Sequence, residues 1–373
     1  MNASFDQGTG VGDDLGTIVL DQTDRILAQE VTPKLLVGCD GATGATAWCG
    51  DLWKLLDENG LPLALVSESA GGVGLDPGTA ARLIRRCGFH ALPLPLPETL
   101  AGAALWADLS GEPASGSLTL ASKTIELAQV EDGFLLSGTL RGVPWGSQSS
   151  ALLVDAVDSG GRRCVARIEG ARLLDTQHNL AGEPRDGLDI SGLVLPGEQV
   201  RAAPDWIAGS AAGAVETIGA WVRAQQLAGG LERSLAYAIQ HVGERQQFGR
   251  PIGRFQAIQH MLAEAAGHVA AASAAADLAG AAWSESRFVL ATAIAKSRCG
   301  EAAGRVAEVC QQVHGAMGFT HEHPLHHTTR RLWSWRDEFG HEALWQERIG
   351  RLVCLEGGAA LWPMLVRLRS GAQ

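Results

Sequence analysis

The chain has 373 residues, 46 % of them hydrophobic, and a formal net charge of −11. That length and apolar content suit two or three folded domains and exclude a disordered chain. The acidic balance argues against nucleic acid or an anionic membrane as the main partner, and no apolar run is long enough to span a bilayer. The seven cysteines (Cys39, Cys49, Cys87, Cys164, Cys299, Cys310, Cys354) form no C-x-x-C pair, so neither a disulfide framework nor a zinc site is expected. Asp6, Asp13 and Asp14 make the start acidic, without a basic-then-apolar leader, and the expected location is cytoplasmic.

Residues 1–112 read as a helical N-terminal domain. Asp14 to Glu30 carries Leu15, Ile18, Val19, Ile26 and Leu27 at helical spacing. Trp48 to Glu58 repeats the pattern, and Gly60 is placed to end it. Thr79 to Cys87 resumes helix. Pro93, Pro95 and Pro97 impose an extended passage before a helix from Glu98 to Leu105. Residues 113–205 read as a middle β domain. Its expected strands are Ser117–Ala121, Thr124–Val130, Gly133–Leu140, Ala151–Val157, Cys164–Ile168 and Leu193–Leu195, with Glu131-Asp132-Gly133 as a hairpin turn. Residues 206–373 read as an alanine-rich four-helix bundle, with helices at Gly213–Glu244, Phe255–Trp283, Ser286–Val313 and His341–Leu368. The fold class is α+β and multi-domain, with helices first, a β-barrel or sandwich next and the bundle last.

Three stretches carry chemistry. At 245–260 the helical pattern breaks in Arg-Gln-Gln-Phe-Gly-Arg-Pro-Ile-Gly-Arg-Phe-Gln-Ala-Ile-Gln-His and restarts at once. A guanidinium at Arg245 suits a diphosphate, and the ring of Phe248 suits the flat part of a dinucleotide. The plainer reading makes Arg245 a solvated helix end and Phe248 a plug between helices. At 312–319, Gln-Val-His-Gly-Ala-Met-Gly-Phe forms a glycine-rich turn after a helix, which exposes N–H groups to an anion or simply caps the helix at Gly315. His321, His323, His326 and His327 cluster after it, in an expected turn without partnered cysteine or carboxylate spacing, so no metal site is assigned.

These stretches resemble the acyl-CoA dehydrogenase family of flavoproteins, whose order of domains is the same. The resemblance is strongest in residues 232–262 and 308–340. It implies that Arg245 and Phe248 contact the flavin adenine dinucleotide (FAD) of a neighbouring subunit. It also implies that Gln312, Gly315 and Ala316 stand where the family's Gln-x-x-Gly-Gly-x-Gly-Phe holds the diphosphate, with Ala316 replacing the middle glycine. Val143-Pro-Trp-Gly-Ser147 falls on a family strand beside the isoalloxazine, so Trp145 and Ser147 are cofactor candidates or strand-end packing. The implied reaction is α,β-desaturation of an acyl-CoA thioester, with electrons passed to electron-transfer flavoprotein. The implied assembly is a homo- or hetero-oligomer, dimer or tetramer.

The family's base is a glutamate in an apolar pocket that raises its pKa. It occupies one of two places. Counted from Phe319, the first falls on Phe339, before Gly340; a one-residue shift puts Glu338 there, with Asp337 as the alternate. Counted back from Arg245, the second falls on Gly219, with Glu216 one turn earlier. The competing reading makes Arg336, Asp337 and Glu338 a solvated turn, or pairs them with Arg330 and Arg331. Some relatives acting on sterol side chains assemble from two different chains, so a non-catalytic or half-site partner subunit is the alternative function. A shortened β-domain loop suggests a bulky acyl group such as a steroid side chain.

Overall fold

The computed structural model describes residues 10–39, 48–113, 115–320 and 322–370; Asp6 and His321 lie outside them. Helices α1 (Gly10–Glu30), α2 (Pro33–Cys39) and α3 (Gly50–Glu58) open the chain. Leu52 and Leu56, four residues apart, bury one face of α3. Gly60 then takes φ +71, a left-handed turn that a residue without Cβ enters cheaply. Helix α4 (Pro77–Phe89) starts where the Asp76 carboxylate accepts from the Thr79 N–H, with Pro77 at the first helical position. Helix α5 (Leu96–Ser110) is buried over Leu96–Ala107, including Glu98.

Nine strands form the middle of the chain: β1 (Leu118–Val130), β2 (Gly133–Leu135), β3 (Thr139–Pro144), β4 (Ala151–Asp158), β5 (Arg163–Ile168), β6 (Arg172–His178), β7 (Pro184–Asp189), β8 (Val194–Leu195) and β9 (Val200–Ala202). They make a six-stranded sheet, β8-β2-β1-β4-β5-β9, and a three-stranded sheet, β3-β7-β6. The β1–β4 pair is parallel and the other paired strands are antiparallel. Inward-facing Ile125, Leu127, Leu140, Val154 and Leu188 close a separate core between the sheets. The structure corrects two strand expectations. Ser117–Ala121 and Thr124–Val130 are one strand whose register shifts between Ala121 and Ile125. Gly133–Leu140 is two strands in different sheets, divided where Gly138 takes φ +94.

The C-terminal part packs around α6 (Ala214–Glu244), which is buried from Thr217 through Leu231. A hairpin of β10 (Gln246–Gln247) and β11 (Arg250–Pro251) links it to α7 (Gln256–Ala281). Then follow α8 (Phe288–His314), α9 (Leu325–Asp337), α10 (Glu342–Glu356) and α11 (Leu361–Ser370). Glycine lets α4 and α6 touch backbone to backbone: a Cβ on Gly229 would stand 1.9 Å from the Arg85 carbonyl oxygen, and one on Gly88 2.2 Å from that of Gln226. The expected His341–Leu368 helix is two helices, α10 and α11, broken at Gly357, which takes φ +85. Helix α9 was not expected at all, and His326 and His327 lie buried within it rather than in a turn. Among the described residues no single helix is long and apolar enough to cross a membrane.

Candidate active site

The loop between α9 and α10 carries Glu338, the expected base, and the structure surrounds its carboxylate with cations. Its Oε1 accepts from Arg185 Nε at 2.8 Å, Arg185 Nη2 at 2.6 Å and Asn179 Nδ2 at 3.1 Å. Its Oε2 accepts from Arg223 Nε at 2.7 Å. Burial alone would push this carboxyl up; Arg185 and Arg223 overcome it and hold the group at about 2. A base must take up a proton, and a carboxylate so tightly paired is a poor acceptor. The expected upward shift is reversed.

The pairs extend into a buried network across all three parts of the chain. Arg223, fully buried on α6, also meets Glu98 of α5 at 2.7 Å. Arg185 of β7 meets Glu183 at 3.0 Å, and Glu183 meets Arg331 of α9 at 3.0 Å and accepts from the Trp335 indole at 3.0 Å. Arg331, which the competing reading paired with the 336–338 turn, pairs with Glu183. Lys296 of α8, fully buried, donates to the carbonyls of Arg336 at 2.6 Å and Gly340 at 2.7 Å and so holds both ends of the loop. Burial lowers its amine to about 7. Each buried charge is costly unless its partners stay in place, so the network fixes the loop rather than leaving it free to reach a substrate.

The other base position is closed by the next residue. The Phe339 ring lies on α6 so closely that a Cβ on Gly219 would stand 2.1 Å from it. Arg223 covers the ring with its guanidinium carbon 5.6 Å from the centroid. Phe339 is buried and takes φ +53, with Gly340 at φ +90. The two places where a base was sought thus meet in space, and they hold an aromatic ring and a glycine.

The remaining carboxylates do not fill the gap. Asp337 is 73 % exposed and its nearest cation, Arg336, is 3.9 Å away, so it is a solvated surface acid. Glu216 sits in the first turn of α6, where its Oε2 accepts from the Gly213 N–H at 3.4 Å. Both its oxygens also accept from Arg348 Nη2, at 2.9 and 3.1 Å. Trp145 is buried at φ +45 beneath the Arg185 guanidinium, 5.2 Å from the ring centroid. Ser147 stays exposed, its N–H donating to Asp186 at 2.7 Å.

The cofactor candidates lie elsewhere. Arg245 caps the C-terminal end of α6 and is exposed. Phe248, at the tip of the β10–β11 hairpin, is 92 % exposed at φ +52, with Gly249 at φ +76 completing the turn. At the end of α8, Gly315 takes φ +60, a Cβ there would meet nothing within 4 Å, and Gln312, Gly315 and Ala316 are exposed. The His241 and His314 rings stack at 4.4 Å, so the Arg245 and Gln312 turns share one end of the bundle. His323 joins them, 4.6 Å from His314. His323 clusters with its chain neighbours in the sequence, and only the fold brings it to the joined ends of α6 and α8. These exposed donors, open turn and unburied ring fit a dinucleotide diphosphate. Gly219 precedes Arg245 by 26 residues, roughly 39 Å along a helix. A cofactor gripped at Arg245 therefore lies at the far end of α6 from Phe339.

A groove of about 1020 Å³ runs between α8, α10 and α11, lined by Arg287, Leu290, Trp345, Arg348, Leu352 and Leu368. Trp345 forms part of its wall, and its indole donates to the Phe339 carbonyl at 2.9 Å.

Comparison with known proteins agrees with this architecture. Residues 214–351 match the family description "Acyl-CoA dehydrogenase, C-terminal domain". The chain is 29 % identical over 282 residues to acyl-CoA dehydrogenase IpdE2 of Mycobacterium tuberculosis, covering 74 % of this chain and 78 % of that one. The ChsE4-ChsE5 complex of Mycobacterium tuberculosis superposes with a TM-score of 0.81 at 21 % identity, over 94 % of this chain and 99 % of that one. The Tcur3481-Tcur3483 steroid ACAD variant gives 0.80 at 23 % identity, over 94 % and 100 %. Residues 214–351 thus match the acyl-CoA dehydrogenase C-terminal domain, and the chain as a whole is similar in sequence and fold to acyl-CoA dehydrogenases.

Proposed function

We propose that this chain is the base-lacking subunit of a heteromeric acyl-CoA dehydrogenase and lends Arg245 and Phe248 to the FAD of its partner. The observation that carries the reading is the meeting of Phe339 with Gly219, which leaves neither base position with a carboxylate. The ion pairs of Glu338 and the exposure of Asp337 add to it. The span of α6 supports the division of labour, because the grip at one end cannot serve the closed pocket near the other. A similar structure, the ChsE4-ChsE5 complex, contains two different chains.

In the assembled enzyme, bound FAD would supply acceptance of the hydride from the acyl group. This chain's residues would do the holding: the Arg245 guanidinium and the Gly315 turn would bind diphosphate, and Phe248 would pack on the flat part of the dinucleotide. The base would come from the partner. The acyl-CoA substrate would be a bulky one, since a similar structure, Tcur3481-Tcur3483, is a steroid ACAD. Electrons would leave to electron-transfer flavoprotein, as the family resemblance implies. The setting would be cytoplasmic degradation of steroid side chains or fatty acids.

The test is a pair of substitutions, Arg245→Gln and Phe248→Ala, in the native complex purified through a tag on this chain. Both side chains are exposed, so this chain's own unfolding should move by no more than about 0.5 kcal/mol. Flavin content and acyl-CoA turnover of the complex should fall together. Unchanged flavin content in the double variant would remove the proposed grip.

A further inference from the structure

We propose that a polar cavity between the N-terminal helices and the bundle, built around Arg233, is a binding site for a small oxyanion. The cavity encloses about 240 Å³ and is lined by Thr32, His90, Arg233, Tyr237, His327 and Thr328. Its walls come from the start of α2, the end of α4, the middle of α6 and the start of α9.

Arg233 is the feature that sets it apart. Four other arginines of the helical core and its seam have carboxylate partners: Arg85 with Glu232 and Asp277, Arg185 with Glu183 and Glu338, Arg223 with Glu98 and Glu338, Arg331 with Glu183. Among the described residues no carboxylate pairs with Arg233. It is held by aromatic rings instead, its guanidinium carbon 4.9 Å from the Phe89 centroid and 4.3 Å from that of Tyr237. Stacking of this kind uses the faces of a guanidinium and leaves its in-plane N–H groups as donors, the arrangement that receives a planar carboxylate or a phosphate oxygen pair. The acid bonded to the His90 wall is already paired: Asp24 accepts from His90 at 2.9 Å and pairs with Arg86 at 3.2 Å. Hydroxyls of Thr32, Thr328 and Tyr237 supply further donors around the same space. The cavity is too small for a nucleotide and large enough for inorganic phosphate or a short carboxylate.

The location gives the ligand a consequence. An anion there touches groups from both the N-terminal helices and the bundle, so its binding stabilises the docking of one on the other. Tyr237 also meets the His323 ring at 5.7 Å, and His323 abuts His314 beside the Gly315 turn. Occupancy is thus one contact removed from the proposed cofactor grip, although the site itself depends on none of those residues.

The experiment titrates the full chain with inorganic phosphate and, separately, with succinate, keeping ionic strength constant with chloride. One of the two should raise the melting temperature saturably, by about 3 °C at a hundredfold excess over Kd. The arm that saturates identifies the ligand as a phosphate or as a carboxylate. Arg233→Gln should abolish the shift. Arg233→Lys, which keeps the charge without the planar fork, should weaken binding about tenfold and carries the test if the glutamine variant does not fold. An equal shift in wild type and either variant would overturn the proposal. So would a shift that chloride reproduces, or none with either anion up to ~10 mM.

Discussion

Glu338→Gln should lower the stability of the folded chain by about 3 kcal/mol while leaving acyl-CoA turnover per folded complex unchanged. The amide keeps the shape of the side chain and removes the charge that Arg185 and Arg223 share at 2.6 and 2.7 Å. Glu98 and Glu183 remain as partners, so the loss stays at the lower end of the range for a broken buried pair. The pH dependence has a definite sign. The folded carboxyl is held at about 2 against an ordinary value of 4.5. Its stabilisation is complete above the unfolded value and is lost as pH falls from about 4.5 towards 2. The gap between wild type and variant, measured by urea unfolding, should therefore be widest near neutrality and close in acid. A true base would behave in the opposite way, with turnover collapsing and stability hardly moving.

Gly219→Ala should cost about 2 kcal/mol, although alanine favours a helix over glycine by about 1 kcal/mol. The sign follows from the 2.1 Å approach of the Phe339 ring to the place where the new Cβ would stand, a distance that forces ring or helix to shift. Phe339→Ala alone should cost about 3 kcal/mol through the cavity it leaves. Combined, the two should cost about 2 kcal/mol less than their sum, because the truncated ring no longer meets the added methyl. Unfolding midpoints of the four proteins give this coupling directly. Strict additivity would mean that the two residues do not press on each other, and the closed base position would then have no energetic support.

The sequence patterns that proved readable were local. The break between α6 and α7 was visible because Phe248-Gly249 and Pro251 interrupt two alanine-rich periods. Helix α9 was not, because its buried residues include His326, His327, Thr328, Thr329 and Arg331, which no apolar period marks. Those groups are interior because β7 and its flanks bring Glu183 to Arg331 and Trp335, some 150 residues away in the chain. The surroundings of Glu338 were hidden for the same reason. Its partners Arg185 and Arg223 lie 153 and 115 positions away, so a pocket expected to raise its pKa carries the cations that lower it. The Phe339 position itself was legible by counting, yet its closeness to Gly219 required the fold. The split of Gly133–Leu140 between two sheets left only Gly138 as a trace, and a lone glycine is ambiguous.

The most direct test of a chain without a base is anaerobic mixing of the purified chain, supplied with excess FAD, with a series of straight-chain, branched and steroid side-chain acyl-CoA thioesters. The account predicts that the flavin absorbance stays oxidised with each thioester, and that reduction occurs only when the partner subunit is present. Stoichiometric bleaching of the flavin by any of these thioesters in this chain alone would contradict it.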